Sequence, residues 1–246
     1  MADWLTGKII EKIQWNERLF SLRIQCDFKN FESGQFVRVA LDLDSERVAR
    51  PYSLVNAPDD EYLEVYFNIV PEGPLSPKLA ELKNNDEIFV TDRANGFLTV
   101  SEIPECKHLW MLATGTGVGP FLSILKSNNV WQRFEKVVLG YSVRDLSELS
   151  YQEQISAIKQ QHGEQFLFVP FVTREKVDGA MNQRITASIE DGSFEQRAGI
   201  NIDEDSHIMM CGNSVMISSV TECLKKRGLR KHRRREPGHI TTEKYH

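Results

Sequence analysis

Residues 113–121, with the sequence ATGTGVGPF, constrain the fold of this chain more than any other stretch. Three alternating glycines, Gly115, Gly117 and Gly119, lie between an apolar run at 109–113 and a mostly apolar segment at 121–125. The pattern predicts a strand, a glycine turn and a helix. Glycines remove the Cβ atoms that would keep the backbone from a phosphate, and a helix N-terminus favours negative charge. The turn therefore indicates a dinucleotide site, without saying which dinucleotide.

The hydrophobic period changes near residue 104 and divides the chain into two parts. Before it, short runs at 20–24, 36–41, 63–70 and 87–90 favour an antiparallel barrel or sandwich, with one short helix at 76–82. After it, strand-like and helical runs alternate, which is typical of a parallel sheet. The strand-like runs are 109–113, 136–141, 166–173 and 207–211, and the helical runs are 121–127, 149–160, 185–189 and 214–226. We expect two domains, an N-terminal antiparallel β-barrel at 1–101 and a C-terminal α/β domain with a parallel sheet at 102–246.

Composition excludes several classes of protein. No apolar stretch is long enough to span a membrane, and the N-terminus lacks the basic start and apolar core of a secretory signal. The four cysteines are far apart and form no C-x-x-C pair, so neither a disulfide framework nor a zinc or iron–sulfur site is expected. We therefore expect a cytoplasmic protein with no resident metal and no membrane partner.

A second motif, Arg50-Pro51-Tyr52-Ser53, ends a predicted barrel strand. An arginine can bind a phosphate through two hydrogen bonds, a tyrosine can stack on an aromatic ring, and a serine can donate a hydrogen bond to a ring nitrogen. An ordinary surface strand with a proline bulge is the alternative interpretation, and the four residues alone do not decide between the two.

The order of the motifs is more specific than any one of them. A β domain with RPYS precedes an α/β domain with the glycine turn, and the chain resembles the ferredoxin–NADP reductase family over essentially its whole length. The bacterial ferredoxin/flavodoxin–NADP reductases are the most similar branch. The matching segments are 34–36 (GQF), 50–53 (RPYS), 73–77 (GPLSP), 114–120 (TGTGVGP), 211–213 (CGN) and 237–245 (PGHITTEKY).

The resemblance implies a barrel that binds FAD and an α/β domain that binds NADP(H). Arg50, Pro51, Tyr52 and Ser53 would hold the flavin, with Arg50 at the pyrophosphate, Tyr52 stacked on the ring system and Ser53 near its N5 atom. The remaining residues that the resemblance assigns to the two nucleotides are Gly73, Leu75 and Ser76 for a second phosphate-side contact, and Thr114, Gly115, Thr116 and Gly117 for the nicotinamide cofactor.

Three arginines follow predicted strands of the α/β domain. Arg144, Arg174 and Arg184 fall at strand ends or in the loops after them, and ligands of open parallel sheets bind at that edge. A ribose 2′-phosphate is a dianion and demands cations, so the three favour NADP(H) over NAD(H). Solvated surface arginines are the alternative, but the resemblance places the 2′-phosphate site at the same positions.

The last predicted parallel strand ends in Cys211-Gly212-Asn213. The resemblance puts Cys211 and Gly212 beside the nicotinamide, where Gly212 would permit a close backbone approach. Cys211 is not expected to be a nucleophile, because no histidine or aspartate pairs with it in a readable motif and hydride transfer needs none. Glu243 would relay a proton to the flavin, as an acidic residue near the C-terminus does in plant-type relatives; a solvated tail carboxylate is the alternative.

The C-terminal pair departs from the family pattern. Relatives of this length typically end in Tyr-Trp, and their last ring packs on the cofactor. This chain ends in Tyr245-His246. Because imidazole offers a smaller stacking face than indole and can become charged, we expect His246 to hold FAD less tightly.

Residues 225–235, with the sequence KKRGLRKHRRR, form a basic segment that runs from Lys225 to Arg235. It contains eight lysines or arginines and no acid, in a chain whose net charge is −5. Base-reading or stacking residues are not interleaved with it, so no nucleic-acid partner is expected. Docking of a small acidic electron carrier, ferredoxin or flavodoxin, explains the segment better.

The predicted function is FAD-dependent electron transfer between NADPH and a one-electron carrier, in a monomeric enzyme. Two enzymatic or electron-transfer alternatives stay open: an NAD(P)H:flavin reductase that releases free reduced flavin, and a flavin subunit of a larger complex. A non-enzymatic nucleotide-binding module is the third.

Overall fold

The N-terminal half of the chain folds into an antiparallel sheet of six strands, in the order β4-β3-β6-β1-β2-β5. The computed structural model describes residues 3–44 and 46–245. The strands are β1 (Trp4–Gln14), β2 (Leu19–Gln25), β3 (Phe36–Leu43), β4 (Glu46–Ser53), β5 (Leu63–Asn68) and β6 (Glu87–Thr91), and the helix α1 (Ser76–Glu81) lies between β5 and β6. The sheet curls until its edge strands meet at an antiparallel bridge between Leu54 and Val65. The predicted barrel is thereby confirmed.

The first strand has no counterpart among the predicted runs. β1 pairs with both β2 and β6, and its register with β2 shifts between Ile9 and Glu11. A bulge of this kind interrupts the two-residue alternation of inward and outward side chains. The alternation that identifies a half-buried strand is therefore lost in the sequence, although Ile9 lies in the barrel core.

The C-terminal half forms a five-stranded parallel sheet in the order β11-β10-β7-β8-β9. Its strands are β7 (His108–Thr114), β8 (Lys136–Val143), β9 (Phe166–Val172), β10 (Ser206–Asn213) and β11 (Ile240–Tyr245), and its helices are α2 (Gly119–Leu125), α3 (Asn128–Arg133), α4 (Gln152–His162), α5 (Ile185–Glu190), α6 (Ser193–Ala198) and α7 (Ser214–Lys226). Buried side chains of α2 to α4 pack on one face of the sheet and those of α5 to α7 on the other. This confirms the predicted α/β architecture.

Strand order reverses between β7 and β10, because β8 and β9 continue to one side and β11 to the other. Such a switch point opens a crevice at the carboxyl ends of the strands, which is the usual ligand site of an open parallel sheet. The glycine turn follows β7, and Gly212 lies near the end of β10. The two motifs therefore flank the same crevice.

The two domains contact each other through buried hydrogen bonds. The Tyr151 hydroxyl donates to Glu64 Oε1 at 2.7 Å, the Ser123 hydroxyl donates to the Asn56 carbonyl at 2.7 Å, and Lys126 Nζ donates to the Val55 carbonyl at 3.0 Å. Tyr151 adopts a left-handed φ of 63°, and α4 begins only after it, at Gln152 rather than at the predicted residue 149. These bonds fix how the glycine turn faces the barrel.

Among the described residues, no helix combines the length and apolarity needed to cross a bilayer.

Candidate active site

Side chains from both domains meet in one hydrogen-bonded network at the domain junction. The Tyr245 hydroxyl donates to Ser53 Oγ at 2.8 Å, and Ser53 Oγ donates to Glu243 Oε1 at 3.0 Å. Cys211 Sγ lies 4.0 Å from the same carboxylate oxygen. Ser53, Cys211 and Glu243, which the resemblance places at the reacting rings, are thus brought together, with the hydroxyl of Tyr245 beside them.

Strand register explains why these residues converge. Cys211 of β10 is paired with Glu243 of β11 in the parallel sheet. Because side chains alternate between the faces of a strand, Glu243 and Tyr245 point to the same side and Lys244 to the other. Ser53 is the last residue of β4 and approaches from the barrel. Glu243 is therefore not a solvated tail carboxylate, because it belongs to a paired strand and is only partly exposed.

Burial sets the protonation of this network. Desolvation raises the pKa of Glu243, and the hydrogen bond from Ser53 opposes part of the rise. The pKa of the Cys211 thiol is raised well above its ordinary value, first by burial and then by the nearby Glu243 carboxylate. This raised pKa argues against a nucleophilic role for Cys211, because a nucleophilic cysteine needs a lowered pKa.

The glycine turn packs against the end of β10 without room for side chains. A Cβ on Gly117 would lie 2.4 Å from the Cys211 carbonyl oxygen, and one on Gly212, which has φ +126°, would lie 2.2 Å from Thr114 Oγ1. The same Thr114 oxygen accepts a hydrogen bond from the Asn213 backbone N–H at 2.7 Å. Gly115, at φ +53°, has no heavy atom of the described residues within 4 Å of its Cβ position.

The remaining residue of the turn, Thr116, is partly exposed. Gly115 to Val118 form a single turn of 3₁₀-helix that leads directly into α2. The turn therefore presents backbone to the crevice at Gly115 and packs on protein at Gly117.

The RPYS motif lies at the end of β4 as predicted. Arg50 and Pro51 are exposed, and the Arg50 guanidinium donates only to the carbonyl of its neighbour Ala49 among the described residues, at 2.8 Å. The half-buried Tyr52 ring packs edge-on against Phe67, with ring centroids 6.0 Å apart. Burial raises the pKa of Tyr52 to about 12, so its hydroxyl stays protonated at neutral pH. An unpaired cation and a flat ring thus stand side by side at the barrel surface.

The third predicted contact of the barrel lies in the connection between β5 and α1. Gly73 turns back on Val70, whose carbonyl accepts its N–H at 2.8 Å. Leu75 is buried, and the buried Ser76 hydroxyl accepts the Val70 N–H at 2.9 Å. The Ser76 side chain therefore holds the loop together, so a ligand contact from this stretch would come from its backbone.

The three predicted arginines lie at the carboxyl edge of the parallel sheet. Arg144 follows β8, Arg174 follows β9, and the Arg174 N–H donates to the Arg144 carbonyl at 2.9 Å. Arg184 is the residue immediately before α5, at the same edge. All three are exposed, and none of their guanidinium groups forms an ion pair within the described part of the chain. The edge therefore offers free cations beside the crevice.

The basic segment is divided between the end of α7 and the loop that follows it. Lys225 and Lys226 end α7, and Arg227 is paired with Glu195 at 2.7 Å. The rest of the segment, together with residues up to 240, folds back as a loop that is closed by hydrogen bonds from the His239 and Ile240 N–H groups to the Arg230 carbonyl. Lys231 to Arg234 line a surface depression together with Thr242, the residue before Glu243 in β11.

Two side-chain roles were not predicted from the sequence. Asn213 accepts hydrogen bonds from the Val215 and Met216 N–H groups and so caps α7, while its own N–H holds Thr114. An asparagine directly before a helical run is a recognisable capping signal. The bond from Tyr245 to Ser53 spans 192 positions and has no local signal. His246, predicted to contact FAD, lies outside the described residues.

A barrel joined to an open parallel sheet, with a polar network and a glycine turn at their junction, defines a two-domain nucleotide-dependent oxidoreductase. The family description "Oxidoreductase FAD-binding domain" matches residues 7–92, and "Oxidoreductase NAD-binding domain" matches residues 111–222. The flavodoxin/ferredoxin–NADP reductase of Escherichia coli (strain K12) is 42% identical over 247 residues, with 100% of each chain covered. The chain belongs to the family of flavodoxin/ferredoxin–NADP reductases.

Two more distant relatives are also ferredoxin–NADP reductases. The ferredoxin–NADP reductase of Pseudomonas aeruginosa is 32% identical and covers 99% of this chain and 98% of its own. The solved structure of a ferredoxin NADP+ reductase from Neisseria gonorrhoeae, with bound FAD and NADP, has a TM-score of 0.94 at 31% identity and covers 99% of both chains. The similarity includes both domains.

Proposed function

We propose that this chain is an FAD-dependent oxidoreductase that transfers electrons between NADPH and a one-electron carrier, ferredoxin or flavodoxin. FAD would bind the barrel domain at 1–101, and NADP(H) the α/β domain at 102–246. The bond from Ser53 to Glu243 carries this proposal, because it joins the end of a barrel strand to the carboxyl edge of the parallel sheet. Two nucleotide sites that meet there can bring two rings into contact.

The barrel surface has the chemistry that FAD requires. Arg50 has an uncommitted guanidinium for the pyrophosphate, Tyr52 has a flat ring for the flavin, and the loop at Gly73 and Leu75 supplies backbone. Bound FAD would supply the redox chemistry, since a flavin can accept two electrons from a nicotinamide and return them singly. The protein's own task is to orient the two rings and to keep water out.

The α/β domain fits NADP(H). Gly115 has no heavy atom of the described residues within 4 Å of its Cβ position, and Gly117 and Gly212 let the turn approach the end of β10 closely. Arg144, Arg174 and Arg184 would bind the ribose 2′-phosphate, which distinguishes NADPH from NADH. We propose that Thr114 and Thr116 line the same crevice.

Glu243 and Ser53 would together deliver a proton to the flavin. A partly buried carboxyl with a raised pKa can hold a proton on Oε1 closer to neutral pH than an exposed one. Ser53 Oγ, 3.0 Å from that atom, would give its own hydroxyl proton to the flavin and take the proton of Glu243 in return. Cys211 would shape the pocket without reacting.

The carrier would be acidic and would dock on the basic segment, residues 225–235, of a monomeric cytoplasmic enzyme. Opposite charges accelerate encounter in a salt-dependent way. Rates with a carrier should therefore fall as salt rises, whereas NADPH-dependent ferricyanide reduction should change less.

Purification tests the proposed enzyme class directly. We expect the protein to retain FAD through gel filtration and to reduce both ferricyanide and flavodoxin with NADPH. Loss of the flavin on the column, with reduction of added free flavin, would instead identify a flavin reductase. Absence of flavin and of NADPH oxidation would refute the proposal.

A further inference from the structure

A surface depression of about 410 Å³ lies between the barrel and the loop that contains the second half of the basic segment. Basic and aromatic side chains line it, including Lys231, Arg233, Arg234 and Phe97, together with the carboxylate of Glu102. Phe97 is 62% exposed, which is unusual for so large an apolar ring. We define this set of residues as the Phe97 depression.

The Phe97 depression borders the candidate active site on two sides. Thr242 lines it and directly precedes Glu243 in β11. Gly96 directly precedes Phe97, and a Cβ built on Gly96 would lie 3.5 Å from Glu243 Oε2. Each of these two segments therefore runs directly from the depression to the network that joins the two domains.

The Arg234 side chain lies over one face of the exposed Phe97 ring, with its guanidinium 4.3 Å from the ring centroid. Two hydrogen bonds hold it there, from Nε to Glu102 Oε2 at 2.9 Å and from Nη2 to Glu102 Oε1 at 2.5 Å. This pairing lowers the pKa of Glu102. Arg234 thus already binds a carboxylate of its own chain at the position where it would bind a carboxylate of an acidic partner.

The two halves of the basic segment differ in what surrounds their ion pairs. Lys225 is paired with Glu222 within α7, outside the depression, at 2.8 Å, and both side chains are well exposed. Arg234 is paired with Glu102, which lies 132 positions away in the sequence. Of these two ion pairs, only the Arg234 pair has its cation over an aromatic ring in the depression. The pair at Lys225 therefore provides a control for the loss of one negative charge without any change at Arg234.

We propose that Glu102 competes with the acidic carrier for Arg234, and that docking transfers Arg234 to a carboxylate of the carrier and uncovers Phe97 as an apolar contact. This inference rests on the proposed function. A bidentate arginine–carboxylate pair can be exchanged for another of the same geometry. Because the Arg234 side chain is 65% exposed and solvent screens its pair with Glu102, such an exchange is close to balanced, and the added burial of Phe97 favours the complex.

The arrangement also favours one kind of partner. A carrier with a carboxylate next to an apolar patch satisfies both Arg234 and Phe97. A polyanion without apolar surface would release Arg234 but leave the ring exposed to water. The Phe97 depression therefore selects an acidic protein with an apolar contact surface.

Two charge-matched variants test the proposal in the full-length holoenzyme. Glu102→Gln and Glu222→Gln each remove one negative charge and free one cation, but only the first frees Arg234. We measure kcat/KM for purified flavodoxin, divided by the rate with a neutral benzoquinone, which needs no docking surface. The ratio should rise about two- to fivefold for Glu102→Gln, the coupling expected of an exposed pair, and should change by less than about 1.5-fold for Glu222→Gln.

Phe97→Ala supplies the second half of the test. Alone it should lower the ratio several-fold, and in the Glu102→Gln background it should remove most of the gain. Equal effects of Glu102→Gln and Glu222→Gln would overturn the proposal in favour of a general charge effect. So would a gain from Glu102→Gln that Phe97→Ala leaves intact.

The outcomes also separate this inference from the proposed function. A wild-type enzyme that reduces benzoquinone with NADPH but neither flavodoxin nor ferredoxin refutes the carrier function and the inference together. A wild-type enzyme that reduces flavodoxin and is unaffected by Glu102→Gln refutes the inference alone. Self-association of the Glu102→Gln variant in sedimentation, without a change in flavodoxin kinetics, would assign the depression to a second copy of the chain and also overturn it.

Discussion

Replacing Arg144 and Arg184 by alanine tests how this protein would select its nicotinamide cofactor. Both arginines are exposed at the carboxyl edge of the parallel sheet. Hydrogen bonds to charged groups contribute about 1.5–3 kcal/mol each, and exposed positions belong at the lower end of that range. Two such contacts amount to about 3 kcal/mol, which corresponds to a roughly 100-fold change in affinity.

We expect kcat/KM for NADPH to fall roughly 100-fold in the Arg144→Ala/Arg184→Ala variant, mostly through KM, because the 2′-phosphate is remote from the reacting atoms. The value for NADH, which lacks that phosphate, should change less than about threefold. Steady-state ferricyanide reduction at a series of concentrations of each nucleotide measures both quantities. The melting temperature should not change, since neither guanidinium has an ion-pair partner among the described residues.

Lys159→Ala is the matched control. Lys159 is an exposed cation near the end of α4 that leads into β9, at the opposite edge of the same sheet. It should leave both nucleotides unaffected. Equal losses with NADPH and NADH in the double arginine variant would refute the assignment of these residues to the 2′-phosphate.

Three further predictions concern stability and packing. In urea unfolding, Glu243→Gln should stabilise the protein more at about pH 8 than at about pH 5. Burial raises the pKa of Glu243, so ionising this carboxyl as the pH rises destabilises the folded state. The same gain in unfolding free energy at both pH values would contradict this prediction. Gly117→Ala should lower the free energy of unfolding by roughly 1–3 kcal/mol through its clash with the Cys211 carbonyl, whereas Gly119→Ala, with 3.4 Å to Val55, should cost less. Burial lowers the pKa of His207 to about 3, so the folded state loses stability by about 1.4 kcal/mol per pH unit as the pH falls below about 6.5. His207→Gln should flatten this dependence of the unfolding free energy on pH. An unchanged slope would argue against the burial of His207 as its cause.

Much of the fold could be predicted because its strands have strong local signals. β7 to β10 are short apolar runs that alternate with helical periods, and their buried positions lie where those runs place them. β11 has no such signal, since ITTEKY is mostly polar and becomes a strand by pairing with β10. The short helices α3 and α6 were also not anticipated, because six residues are too few to establish a helical period.

The candidate site could be predicted as residue types but not as a geometry. The glycine turn and the arginine edge follow from local pattern and strand position. The contact between Ser53 and Glu243 joins residues 190 positions apart, and only the family resemblance associated both residues with one ring. The pair of Arg234 with Glu102 was not predictable, because the basic segment suggests eight free cations and tertiary packing decides which of them are already bound.

Anaerobic reduction of the purified protein shows whether it binds a flavin and whether NADPH reduces that flavin. The absorbance of the flavin band is followed after rapid mixing with NADPH and, separately, with NADH at the same concentration. We expect a yellow protein whose flavin band is bleached by NADPH, and far more slowly by NADH. A colourless protein, or a flavin band that neither nucleotide bleaches, would contradict this expectation.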